Sequence, residues 1–109
     1  MNKPMASNIS TSLIISTYNR SDALELCVKS VLRQSLLPDE IIIADDGSKE
    51  DTRELIHQLA ASSEVPIIHV WHEDLGFRLA SIRNKAIAKA SKEYIIQIDG
   101  DIVLHKDCL

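Results

Sequence analysis

Tyr94-Ile95-Ile96-Gln97-Ile98-Asp99-Gly100-Asp101 is the stretch on which the fold turns. Three isoleucines in five residues predict a strand, because β-branched side chains suit a pleated, covered surface. A strand buried on both faces stops where charge begins, which puts Asp99 and Asp101 at its carboxyl end. In an open α/β sheet that end is where ligands bind. Two carboxylates about 5 Å apart repel by roughly 3 kcal/mol at an effective dielectric near 20, so the pair calls for a proton or a cation. Hard divalent ions take oxygen ligands of this kind. The stretch therefore predicts a metal site at a strand end.

Working outward, the same plan recurs. Leu13-Ile14-Ile15 predicts a strand over Ser12–Ser16 that runs into the polar loop Thr17-Tyr18-Asn19-Arg20, with turn chemistry at Asn19. From Ser21, a candidate N-cap, the residues Leu24, Cys27, Val28, Val31 and Leu32 keep helical spacing, and Pro38 closes the element. Ile41-Ile42-Ile43 predicts a second strand over Glu40–Ala44, ending in Asp45-Asp46-Gly47-Ser48. Ser48 and Asp51 fit a capping box for a helix whose apolar stripe is Leu55, Ile56, Leu59 and Ala60. A third strand spans Ile67–Trp71, then a polar loop over His72–Gly76 and a third helix over Phe77–Ser91. Strands alternating with helices predict an α/β fold, a mainly parallel sheet with flanking helices and right-handed crossovers. Residues 1–11 read as a leader and 12–109 as the domain. The chain stops at Leu109 in what reads as the start of another element, so the domain is expected to be truncated at its C-terminal end.

The totals narrow the function. A chain of 109 residues fits one small domain or part of a larger one, and 45% hydrophobic with 26% charged residues is an ordinary globular composition. A formal net charge of −4 argues against nucleic acid as a partner, which would need a basic face. No apolar run approaches the length of a membrane span. Cys27 lies in a helical apolar pattern and reads as a reduced core thiol, and with Cys108 distant no disulfide frame is expected. The expected location is cytoplasmic, with membrane association left to a longer parent protein.

Three strand ends carry ligand-ready loops: Thr17-Tyr18-Asn19-Arg20, Asp45-Asp46-Gly47-Ser48 and Asp99-Gly100-Asp101. In a parallel sheet they share one edge and can converge. Each loop alone is also explained by ordinary turn chemistry, but four aspartates at two ends each need a donor or a cation. The three glycines have neither a dinucleotide nor a P-loop spacing. On the third helix, Leu79, Ile82, Ala86, Ile87 and Ala90 form one arc, and Arg83 falls inside it. Lys85, Lys89 and Lys92 fall on the opposite, solvated face. A guanidinium in an apolar arc pairs with an anion, either Asp99, Asp101 or a ligand phosphate, or else snorkels from the core edge. Arg78 is a second candidate. His57, His69 and His72 read as ordinary polar residues, and the two on the third strand point to opposite faces. No nucleophile elbow supports covalent catalysis.

These motifs, in this order and on these elements, resemble the nucleotide-binding half of family 2 inverting glycosyltransferases, whose fold is of the GT-A type. Gly76-Phe77-Arg78 and Arg83-Asn84 belong to the likeness, which covers nearly all of residues 12–107. The resemblance implies a nucleoside-diphosphate sugar donor, most often a uridine one. On it, Thr17, Tyr18, Asn19 and Arg20 line the nucleoside pocket and Asp45 and Asp46 contact base and ribose. Arg78 and Arg83 lie near the nucleotide. Asp99 faces the ribose or sugar, and Asp101, with Asp99, holds a divalent cation, Mn²⁺ or Mg²⁺. That ion would neutralise charge on the leaving diphosphate. The acceptor, a glycan or a lipid-linked molecule, is unspecified. Relatives carry the general base in the half after Asp-x-Asp, so no catalytic residue is assigned here and the chain is expected to bind donor without turnover. A nucleotidyltransferase would instead show a glycine-rich loop after the first strand. A phospho-acceptor signalling domain would place its acidic pair there.

Overall fold

The computed structural model describes residues 10–34, 37–73 and 79–100. The predicted alternation is present: β1 (Thr11–Thr17), α1 (Ser21–Leu32), β2 (Glu40–Asp45), α2 (Glu50–Ser62), β3 (Ile67–Trp71), α3 (Leu79–Lys89) and β4 (Tyr94–Asp99). β1 starts inside the stretch read as a leader, and Ser10 is tied in as well, its carbonyl accepting the Tyr94 N–H at 2.9 Å. All four strands are parallel, in the order β3-β2-β1-β4.

That order follows from alternation and handedness. β1, β2 and β3 step outward in one direction, so right-handed crossovers put α1 and α2 on one face. The chain then returns past β1 to lay down β4, which brings α3 across the other face. Two apolar clusters result. Leu13, Ile15, Ile41 and Ile43 pack against Leu24, Cys27, Val28 and Val31 of α1 and Ile56 and Leu59 of α2. Ile14, Ile42, Ala44 and Val70 pack against Ile82 and Ala86 of α3. The triple-isoleucine run of β2 thus feeds both sides, as a central strand covered on both faces must. Cys27 is buried and in no disulfide.

Several local expectations need correction. β4 is not buried on both faces: Tyr94, Ile95 and Ile96 are 54%, 42% and 38% exposed. Among the described residues β4 is an edge strand with one neighbour, and α3 leans over β1, β2 and β3 instead. The arc of α3 is narrower than its wheel, because Ile87 is exposed while Ile82 and Ala86 are buried. Neither helix start uses the serine expected of it. Arg20 and Lys49 occupy the N-cap positions of α1 and α2 without a side-chain cap bond.

At the amino end of the sheet, buried Glu40 accepts from Ser12 Oγ at 2.6 Å, from the Ser91 N–H at 2.9 Å and from Ser91 Oγ at 3.0 Å. Burial pushes its carboxyl up, but these hydrogen bonds and nearby Lys92 outweigh that and hold it below its ordinary value. The clamp joins β2, β1 and the turn between α3 and β4.

Candidate functional site

Where strand order reverses, α1 leaves the end of β1 toward one face while β4 arrives from the other. The crevice between the carboxyl ends of β1 and β4 is the topological switch point, where open α/β sheets bind ligands. The register sets Ser16 opposite both Ala44 and Asp99, and Thr17 opposite Asp45. All three polar strand ends therefore meet at one edge, as the motif spacing implied.

Backbone bonds pin them together. The Asp46 N–H donates to the Thr17 carbonyl at 3.0 Å and the Gly100 N–H to the Ser16 carbonyl at 2.7 Å. Asn19 adopts φ 49°, a left-handed conformation that asparagine tolerates better than most residues. In it, the Asn19 N–H donates to Ser48 Oγ at 2.7 Å and Asn19 Oδ1 accepts the Lys49 N–H at 2.9 Å. The Ser48 hydroxyl thus locks the first loop to the second rather than capping α2. Gly47, at φ 89°, makes the turn that allows it.

The aspartate pair is buried, with Asp45 0% and Asp46 2% exposed. Asp45 Oδ1 accepts the Ser48 N–H at 2.8 Å, and its Oδ2 lies 2.8 Å from His69 Nε2. Asp46 Oδ1 is bonded to His72 Nε2, and Lys85 Nζ sits 3.2 Å from His72 Nδ1. An ammonium only donates, so His72 Nδ1 accepts from Lys85 and its Nε2–H points to Asp46. The two histidines do lie on opposite faces, since Ile67 joins the α1/α2 cluster and Ile68 the α3 cluster. They are not ordinary polar residues, however: each supplies the donor that a buried carboxylate requires. Lys85 is exposed as expected, but its ammonium also reaches His72. The available signal was two histidines at the end of the strand next to one ending in two acids.

The remaining expected residues divide. Thr17 is 7% exposed, and its Oγ1 has no hydrogen-bond partner among the described residues. Tyr18 is exposed beside it. Arg20 is exposed, 3.6 Å from Asp22. Arg83 is half-buried on α3, next to Ile82. Asp99 ends β4 opposite Ser16. Arg78 and Asp101 lie outside the described residues. Gly100 was not singled out by sequence, yet a Cβ there would come within 2.6 Å of the Ser16 carbonyl oxygen. No group of three or more His, Cys, Asp or Glu side chains among the described residues is arranged to hold a metal. No helix there is long and apolar enough to cross a membrane.

Known proteins resemble this chain in sequence and in fold. The model of the family "Glycosyl transferase family 2" matches residues 12–109. Chondroitin synthase of Pasteurella multocida (strain Pm70) is 32% identical over 101 residues, which is 92% of this chain and 10% of that protein. Validoxylamine A glucosyltransferase of Streptomyces hygroscopicus subsp. limoneus is 33% identical over 94 residues, covering 84% of this chain and 20% of the relative. Among solved structures, S. aureus TarS 1-349 in complex with UDP-GlcNAc aligns with TM-score 0.74 at 22% identity, over 85% of this chain and 27% of that one. The mannosyltransferase PcManGT from Pyrobaculum calidifontis, in complex with GDP-Man and Mn²⁺, aligns with TM-score 0.73 at 23% identity, over 84% and 27%. The chain thus spans a small part of the length of the proteins it matches. Its parallel sheet is that of the GT-A glycosyltransferases, and the chain belongs to glycosyl transferase family 2.

Proposed function

We propose that this chain is the donor-binding portion of a glycosyltransferase that moves a sugar, with inversion, from a nucleoside diphosphate, uridine foremost, to a hydroxyl of a glycan or lipid-linked acceptor. The observation that carries it is the closure of three polar strand ends around the β1–β4 switch point, with the Thr17 hydroxyl buried there and without a partner among the described residues. A buried hydroxyl without a partner costs about 1–3 kcal/mol, and a ligand reaching the crevice would satisfy it. The UDP-GlcNAc complex of TarS, an aligned neighbour, supports a uridine donor.

In this reading Thr17, Tyr18, Asn19 and Arg20 form the nucleoside side. Asp45, with both oxygens engaged by Ser48 and His69, holds the second loop in shape. Asp46, turned to the α3 face, is the member of the pair assigned to base and ribose, with Arg83 and Arg78 toward the diphosphate. A divalent cation fits the acidic, oxygen-only donor set of Asp99 and Asp101, and it would supply charge neutralisation on the leaving diphosphate. Mn²⁺ in the PcManGT complex supports that assignment. A cytoplasmic setting belongs to the same proposal and suits a Cys27 thiol that is in no disulfide. No general base is assigned among these residues, so the chain is expected to bind donor without transferring sugar.

Calorimetry with UDP, GDP and ADP, each with and without Mn²⁺, tests the reading. UDP is expected to bind most tightly and with manganese dependence, which Asp101→Ala removes. Failure of every nucleotide to bind refutes it for this chain, and sugar transfer by the purified 109 residues refutes the assignment of no base.

A further inference from the structure

On the α2 side of the sheet, away from the β1–β4 crevice, a cleft of about 420 Å³ opens between the start of α2 and the outer edge of β3. Ser48, Lys49, Glu50, Arg53, His69 and Trp71 line it. Trp71 is 51% exposed, yet it is not loose: its Nε1–H donates to the Ser48 carbonyl at 3.2 Å. That bond fixes the indole as a shelf at the end of β3. His69, the other ring in the cleft, is held by Asp45 at 2.8 Å. Among the described residues Arg53 pairs at long range, 3.9 Å, with Glu50, and both side chains are largely exposed, so the pair is weak and the guanidinium can turn to a ligand.

We propose that this cleft binds a saccharide bearing a carboxylate, one sugar ring lying against Trp71 and the carboxylate held by Arg53 and Lys49. The lining decides the chemistry. Trp71 is the one large apolar surface and the other side chains are polar or charged, which suits a hydroxyl-rich ring and not a lipid chain. An exposed aromatic with a polar edge is a surface for ligands that are apolar on one side and wet on the other. Lys49 and Arg53 against Glu50 leave one net positive charge, matched by one carboxylate per ring rather than by a diphosphate. Arg53 presents the planar fork that grips a carboxylate by two hydrogen bonds, and Glu50 accepts ring hydroxyls. The inference stands apart from the donor reading, since the side chains it calls on to grip the ligand, Trp71, Arg53 and Lys49, are none of those assigned to the nucleotide.

Trp71 is the sole tryptophan of the chain, so tryptophan fluorescence, excited selectively over Tyr18 and Tyr94, reports on this cleft. The experiment titrates the chain with a tetrasaccharide of alternating hexuronic acid and N-acetylhexosamine, with a neutral tetrasaccharide, and with UDP plus Mn²⁺. A saturable change with the acidic saccharide is expected. Affinity should be at least about tenfold weaker for the neutral one, and for the acidic one on Arg53→Glu, as for loss of a central anchor. Trp71→Ala, followed by calorimetry, should lose at least as much, while Arg53→Glu, on an exposed helix face, leaves folding intact. No saturable response, equal affinity for the neutral saccharide, or undiminished binding by Arg53→Glu overturns the proposal. Displacement of the saccharide by UDP overturns it too, by placing the ring in the nucleotide crevice. Failure of nucleotides to bind in the calorimetry above would leave this test unaffected.

Discussion

Replacing Gly100 by alanine tests how closely the Asp-Gly-Asp segment must lie against β1. The glycine is not there for its backbone freedom, since among the described residues positive φ falls at Asn19 and Gly47 and not at Gly100. It is there for space. An added Cβ would stand 2.6 Å from the Ser16 carbonyl oxygen, 3.4 Å from Thr17 Cβ and 3.6 Å from Ile15 Cγ2. The first contact is the one that cannot relax, because the oxygen belongs to the backbone of a strand paired on both sides. The end of β4 must therefore withdraw, stretching the 2.7 Å bond from the Gly100 N–H to that same oxygen. Overpacking of this kind costs about 1–3 kcal/mol, and the weakened hydrogen bond adds about 1 kcal/mol at most. For a domain of this size each kcal/mol lowers Tm by about 4–8 °C. Circular dichroism melts of Gly100→Ala should therefore show a fall of at least about 4 °C. Calorimetry should show manganese-dependent UDP binding weakened, because Asp99 moves with the strand end. An alanine variant with unchanged Tm and unchanged UDP affinity would refute the close-approach argument.

Three other outcomes follow from single contacts. Thr17→Val removes a hydroxyl that no described residue satisfies, so thermal stability should hold or rise by up to about 1 kcal/mol while calorimetric UDP affinity falls; a destabilised variant would show that the hydroxyl serves the fold. His69→Ala takes from the buried Asp45 carboxylate one of its two donors, leaving the Ser48 N–H, and should cost about 1–3 kcal/mol in urea unfolding, against much less for His57→Ala on the exposed face of α2. Glu40 has a folded pKa below the ordinary 4.5, so its clamp stabilises fully above that value and is lost as pH falls through the lower folded one. Urea titrations from neutral to acid pH should show this loss in the native chain and a flatter profile in Glu40→Gln.

Much of this protein is legible in its sequence because the signals are local. Runs such as Ile41-Ile42-Ile43 state a strand whatever lies beside them, and Leu24, Cys27, Val28 and Val31 state a helix face, since side-chain period depends only on backbone geometry. The parallel plan follows from alternation, and with it the meeting of three motif-bearing strand ends at one edge. Those same motifs are what place the chain in its family. Pairings between elements were not legible. That Asp45 answers to His69, and Asp46 to His72 and through it to Lys85, depends on how β3 registers against β2 and on which face α3 crosses. The exposure of Ile95 and Ile96 depends on where β4 falls in strand order, since β-branching reports fitness for a pleat and not what covers it. The closeness of Gly100 to Ser16, likewise, is a distance between residues 84 positions apart in the chain. The sequence by itself determined which strand ends carry the polar motifs. Only the tertiary structure decided which partner each carboxylate has, because burial and hydrogen bonding are properties of neighbours in space.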